Sequence, residues 1–178
     1  VTGRSRHPAR LLATLAALLA AAPAIAAPPG AAALHPDRDG VKWAQRTLAK
    51  LTLEEKVGQL FMVWARARFS NPDGPEYAEL RDTLQKYHIG SIAMTVPVEA
   101  SILARTGPYE AAMLLNRLQA DSKLPLLVAA DFERGLSTRL MGSTVFPHAM
   151  AFGAAGRLEY AEAFGRITAE EARAVGVH

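Results

Sequence analysis

Cysteine is absent from all 178 residues. That excludes disulfides, a thiol nucleophile and a thiolate metal site, so stability must come from an apolar core. Long apolar runs are scarce as well. The one candidate, Leu11 to Ala22, has about 12 residues where a bilayer span needs roughly 20. The five histidines (His7, His35, His88, His148, His178) show no H-E-x-x-H spacing. No G-x-S-x-G elbow occurs, since Gly90-Ser91 and Gly142-Ser143 lack the pattern. Neither G-x-G-x-x-G nor a P-loop is present, which leaves nucleotide binding without support. Nothing in the sequence calls for a metal or an organic cofactor.

What is present begins with Arg4, Arg6 and Arg10, ahead of the run "LLATLAALLAAA" and the small-residue site Ala24-Ile25-Ala26. Residues 1–26 therefore read as a secretory signal peptide, and the protein as exported, periplasmic or secreted. No cysteine adjoins the cleavage site to carry a lipid, so no membrane attachment is expected after cleavage. Removing the leader takes Lys+Arg from 20 to 17, equal to Asp+Glu 17. The excess of positive charge thus belongs to the leader, and a nucleic-acid or anionic-membrane partner is excluded for the rest.

Residues 27–40, "APPGAAALHPDRDG", carry Ala, Pro and Gly without apolar period and read as a flexible lead-in; the folded part is expected over 41–178. Thr52 and Glu55 stand at capping-box spacing and predict a short helix, followed by a first strand at "LFMVW", Leu60 to Trp64. The Met and aromatic residues of that strand read as core. Pro75 opens a second helix with Tyr77, Leu80, Leu84 and Tyr87 along one face. Strand two is expected over Ile89 to Val96, buried on both faces. After Pro108, Ala111, Leu114, Leu115 and Leu118 mark another helix, and strand three follows at Leu126 to Ala130. A last helix runs through Leu158, Ala161, Gly165, Thr168, Ala172 and Val175, with Gly176 as its stop.

Strands alternating with helices give an α/β class built from parallel βαβ units. A closed barrel of this type takes about eight units and roughly 250 residues. The pattern is therefore the N-terminal portion of a (β/α)8 TIM-type barrel, with about three to four strand-helix units present.

Parallel α/β folds put ligand groups beyond the carboxyl ends of their strands. Asp131 stands at that place after strand three, with Gly135 permitting a tight turn. Glu133, Arg134 and Arg139 are available for a polar rim. A carboxylate so held can accept hydrogen bonds from several sugar hydroxyls. The alternative is that Asp131 only receives loop N–H groups while Glu133 and Arg139 form an ordinary ion pair. His88 and His148 read as structural, one a packing or capping residue and the other a loop residue beside Pro147.

Five blocks in order carry a resemblance: "LTLEEKVGQLFMV", "KYHIGSIAM", "NRLQADSKLPLLVAADFERGLSTRL", "TVFPHAMAFGA" and "GRITAEEARAVGVH". From about Leu51 to His178 they resemble the N-terminal barrel domain of glycoside hydrolase family 3, closer to its β-N-acetylhexosaminidase branch than to its β-glucosidases. The resemblance implies an exo-acting retaining β-glycosidase with a covalent glycosyl-enzyme intermediate. It implies that Asp131 binds hydroxyls of the terminal sugar. The family form is D-x-E-G-G, and Arg134 here replaces the first of those glycines, which bears on substrate choice. Arg139 matches the arginine that follows, with loop ordering as its expected role. The family's aspartate nucleophile, its Lys-His pair and the His-bearing acid/base loop lie on later strands. Residues 1–178 alone are accordingly expected neither to close a barrel nor to hydrolyse a glycoside. The alternatives are a β-glucosidase of the same family, a non-catalytic sugar-binding or degenerate protein, and a freestanding structural domain.

Overall fold

The computed structural model describes residues 36–178. The expected signal peptide lies outside these residues, as do His7 and His35. The chain divides into two compact units, one ending at Arg46 and the other running from Thr47 to His178. Helix α1 spans Arg38–Lys50. It begins inside the stretch expected to be a lead-in, because the Asp37 carboxylate accepts from the Gly40 N–H at 2.7 Å and caps its first turn. The remaining elements belong to the second unit.

Helix α2 (Leu53–Gly58) has both halves of the expected capping box: Glu55 N–H donates to Thr52 Oγ1 at 3.2 Å, and Thr52 N–H donates to Glu55 Oε2 at 2.9 Å. Strand β1 then covers Met62–Arg66, two residues later than expected. Leu60 and Phe61 are taken up by the exit from α2, where their N–H groups donate to Val57 and Gly58 carbonyls. Helix α3 (Pro75–Lys86) leads into β2 (Ser91–Thr95). A small antiparallel pair, β3 (Val98–Glu99) with β4 (Ile102–Leu103), interrupts the loop before α4 (Pro108–Asp121). Then come β5 (Leu127–Ala130), a 3-10 turn at Leu136–Thr138, α5 (Ala149–Ala155) and α6 (Leu158–Ala174). Neither β3–β4 nor α5 was expected from the pattern. The hairpin strands are two residues each, and "AMAFGAA", apolar except for Gly153, is too short and too uniform to show a period.

Strands β1, β2 and β5 form one parallel sheet in that order. The rung Val63, Ile92, Val128 and the rung Ala65, Met94, Ala130 face the helices. There they meet Tyr77 and Leu84 of α3, Leu114, Leu115 and Leu118 of α4, and Ala172 beside Val175 at the end of α6. Burial of each large side chain in this cluster is worth about 1.5–3 kcal/mol. The alternate rungs lie on the other face, which no described helix covers. Trp64 is 64% exposed there, beside exposed Met62 and Leu127. The expectation that "LFMVW" is core is therefore corrected: only Val63 of that stretch packs against the cluster. Strand β2 is shorter than the expected Ile89 to Val96 and, though flanked on both sides, is only half-buried at Ala93 and Thr95 on the face away from the helices.

The amino-terminal end of the sheet is closed by backbone. Gly90 N–H donates to Gly58 O, and Leu127 N–H to Gly90 O. A Cβ on Gly58 would stand 2.2 Å from Tyr87 O, and one on Gly90 2.7 Å from Gln59 O. Glycine is required there by close approach. Gln119 locks the entry to β5, its Nε2 donating to Leu126 O at 2.8 Å and its Oε1 accepting from Leu126 N–H at 2.9 Å. Glu55, buried, is paired with Lys123. At the end of α6, Gly176 adopts φ 90°, with its N–H bonded to Arg173 O and that of Val177 to Ala172 O, a Schellman stop. His178 then lies along the free edge of β5: its N–H donates to Val128 O at 2.9 Å, and its Nδ1 accepts from Val128 N–H at 3.1 Å.

Candidate functional site

Asp131 is the first residue beyond β5, so an apolar strand fixes its backbone while its side chain remains 67% exposed. The loop behind it is built from its own sequence. Gly135 N–H donates to Phe132 O at 2.9 Å, Arg134 N–H to Thr138 Oγ1 at 3.3 Å, and Ser137 Oγ to Arg134 O at 3.1 Å. Gly135 holds φ 77°, where any side chain is strained, and a Cβ would meet the Phe146 ring at 2.7 Å. The turn anticipated at Gly135 is thus present.

The loop brings Arg139 under Asp131. The Arg139 side chain is only 9% exposed, and its Nη2 donates to Asp131 Oδ2 at 3.4 Å. Its Nε and Nη1 are buried without a partner. A buried guanidinium is costly unless its donors are satisfied. The backbone around it is held firmly: Thr106 N–H donates to Arg139 O at 3.3 Å, and Met141 N–H to Thr106 O at 2.8 Å. The ion pair considered between Glu133 and Arg139 does not form. Glu133 is exposed in the loop, and the acid beside Arg139 is Asp131. Arg134 contributes backbone groups to the turn.

Neither histidine singled out in the sequence lies with Asp131. His88 occupies the left-handed region (φ 54°) at the opposite end of the sheet, its carbonyl accepting from Gln59 Nε2 at 2.8 Å. His148 is exposed at the N-cap of α5, with no side-chain cap bond. Two perturbed groups also sit away from Asp131. A hydrogen bond from Lys123, then one from the Thr52 backbone, lowers Glu55 below its ordinary carboxylate value. Burial, then the hydrogen bond to Asp121 at 2.6 Å, pushes the Tyr77 phenol up to about 12. Both pairs fasten helices.

The register defines what shares the mouth with Asp131. Arg66 pairs with Thr95 on the last rung of β1 and β2, and Met94 with Ala130 on the last rung of β2 and β5. Asp131 follows Ala130 directly, so it leaves the sheet at the same carboxyl end. The rung below is Trp64, Ala93 and Ala129. Arg66 was passed over in the sequence, although the signal was available: a lone charge closes β1 as Asp131 closes β5. The cavities nearest α2 and α4, about 390 and 410 Å³, are lined by other residues, among them Glu55, His88 and Lys123 in the first and Phe69, Tyr77 and Met113 in the second. Asp131 instead stands at an open mouth, as three strands of an eight-strand ring leave it. Its ionised carboxylate is acceptor-only, suited to receive several hydroxyl donors. Among the described residues no group of three or more His, Asp or Glu is placed to hold a metal. No helix among them is long and apolar enough to cross a membrane.

Known proteins resemble this chain. Over 142 residues the chain is 29% identical to a β-N-acetylglucosaminidase/β-glucosidase of Cellulomonas fimi, covering 80% of this chain and 22% of that protein. Over 131 residues it is 30% identical to a periplasmic β-glucosidase of Salmonella typhimurium, covering 74% of this chain and 14% of the relative. The chain thus spans less than a quarter of the length of these relatives. A solved structure of the β-glucoside phosphorylase BglX bound to 2FGlc superposes with a TM-score of 0.63 at 26% identity, over 80% of this chain and 23% of that one. The exo-1,3/1,4-β-glucanase of a Pseudoalteromonas species, at 22% identity and a TM-score of 0.60 over 81% of this chain and 17% of that one, shares the fold. The family model for the glycosyl hydrolase family 3 N-terminal domain matches residues 52–178, so the three parallel strands and their helices are part of a TIM-type barrel and the chain belongs to glycosyl hydrolase family 3.

Proposed function

We propose that the protein containing this chain is an exo-acting retaining β-glycosidase, foremost a β-N-acetylhexosaminidase, with β-glucosidase the alternative within the family. The observation that carries the reading is Asp131: an exposed carboxylate on a rigid strand end, in the segment matched to the family, with Arg139 behind it. The Cellulomonas fimi relative is named for both activities, which supports keeping the two sugars together. Asp131 would take hydroxyls of the terminal sugar. Glu133 and Arg139 would support the loop, and the nucleophile and acid/base would come from strands beyond residue 178. Likeness to a β-glucoside phosphorylase favours a second reading, in which phosphate rather than water receives the glycosyl group. Export is part of the proposal; it is supported by the Arg-led apolar leader and by the periplasmic relative, and N-terminal sequencing of the secreted protein should begin at Ala27.

The test is turnover of nitrophenyl N-acetyl-β-glucosaminide and β-glucoside by the full-length protein. Asp131→Ala should lower kcat/KM about a thousandfold, since hydrogen bonds from two hydroxyls to a carboxylate are worth roughly 1.5–3 kcal/mol each. Sugar binding without turnover in the wild type would replace the enzyme reading with that of a binding protein.

A further inference from the structure

Glu171 stands where a carboxylate is unfavourable. It lies in the last turn of α6, where the helix dipole opposes negative charge, and its Oε2 is buried without a partner among the described residues. Its Oε1 is fully used. That atom accepts from the Thr144 N–H at 3.0 Å and from Thr144 Oγ1 at 2.7 Å. Thr144 belongs to the segment that covers the turn behind Asp131: a Cβ on Gly135 would stand 3.5 Å from the Thr144 carbonyl oxygen and 2.7 Å from the Phe146 ring. Phe146 is in turn held by Phe164 of α6, edge to face at 5.0 Å, and Phe164 by Phe152 of α5 at 5.2 Å. Helix α6 also packs against the 3-10 turn that Gly135 opens.

We propose that Glu171 is a positioning residue for Asp131, acting through the segment from Thr144 to Phe146. The inference rests on the reading of Asp131 as the sugar-binding carboxylate. The chain of contacts is short. Glu171 fixes Thr144, Thr144 and Phe146 close over Gly135, and Gly135 opens the turn that delivers Arg139 to Asp131 Oδ2. Strand β5 fixes only the backbone of Asp131. Its exposed carboxylate has Arg139 as its one hydrogen-bond partner among the described residues, so a shift of the turn moves the group that orients it. Misplacement by about 1 Å is enough to weaken a positioned group severely. A brace serving stability alone needs no charge at this place, because an apolar side chain would avoid both the adverse dipole and the unpaired buried oxygen.

A double-mutant cycle on the full-length protein tests this, read as kcat/KM for nitrophenyl N-acetyl-β-glucosaminide and β-glucoside. Glu171→Ala should raise KM about fivefold with kcat changed less, the size of coupling expected between residues in one contact network. Glu171→Gln, whose amide oxygen can still accept from both Thr144 donors, should recover most of the loss. In the Asp131→Ala background Glu171→Ala should have no further effect, because the group it positions is gone. Melting temperatures establish that each variant folds. An equal loss from Glu171→Ala in both backgrounds would make Glu171 structural and overturn the proposal, as would Glu171→Ala with kcat/KM intact. Asp131→Ala as active as the wild type would instead sink the reading of Asp131, and the proposal with it. If the wild type binds sugar without turnover, the same cycle is read in the calorimetric affinity for N-acetylglucosamine, with Asp131→Asn in place of Asp131→Ala.

Discussion

The two ends of the parallel sheet are made on different terms. At the amino-terminal end Gly58 and Gly90 press backbone against backbone, Gln119 satisfies both polar groups of Leu126, and Glu55 is held by Lys123 and the Thr52 N–H. At the carboxyl end Arg139 is buried with two donors unpartnered and Asp131 is largely exposed. The same strands run through both, so the difference is not one of core packing. In barrels of this kind the amino-terminal face serves stability and the carboxyl face serves chemistry. Incomplete satisfaction at the carboxyl end is what a ligand site leaves when its partners come from elsewhere.

The contrast predicts opposite mutational signatures, the largest at the closed end. Gly58→Ala sets a methyl against the Tyr87 carbonyl and should destabilise the full-length protein by about 2–3 kcal/mol, read by denaturant melts, while leaving the KM of the folded fraction unchanged. A stable variant with altered KM would break the division. Arg139→Met should do the reverse. It removes a buried charge with orphaned donors, so the melting temperature should hold or rise, and it frees Asp131, so KM should rise about tenfold, roughly 1.4 kcal/mol of lost binding. A fall in melting temperature with KM intact would make Arg139 purely structural. The smallest effect concerns pH. The Glu55 value is lowered in the fold, so its contribution is present above the ordinary carboxylate value near 4.5 and is lost as pH falls through the lowered one. Melting temperatures of the wild type and Glu55→Gln should therefore differ at about pH 6 and converge as pH falls below the ordinary carboxylate range, with activity profiles superimposable.

Much of this was legible in the residues. The Thr52/Glu55 capping box, Pro75 and Pro108 at helix starts, and Gly176 at a helix stop are local devices, and each is where it was expected because its hydrogen bonds close within a few residues. The Asp131 position followed from a buried strand ending in a charge. The errors have physical sources too. Apolar "LFMVW" reads as core because hydrophobicity does not say which face has a helix on it, and Trp64 lies on the uncovered one. The Glu133–Arg139 pair is suggested by proximity in the chain, yet the turn at Gly135 and the bridge to Thr106 carry Arg139 under Asp131 instead.

By itself, then, the sequence determined the α/β alternation and the capped helix ends, which rest on short-range spacing, and its ordered blocks carried the resemblance to the family. Only the tertiary structure decided which residues share a rung and that Arg139 rather than Glu133 accompanies Asp131. Register between strands is set by contacts across dozens of residues, where a shift of one position would have turned every side chain of a strand to the other side.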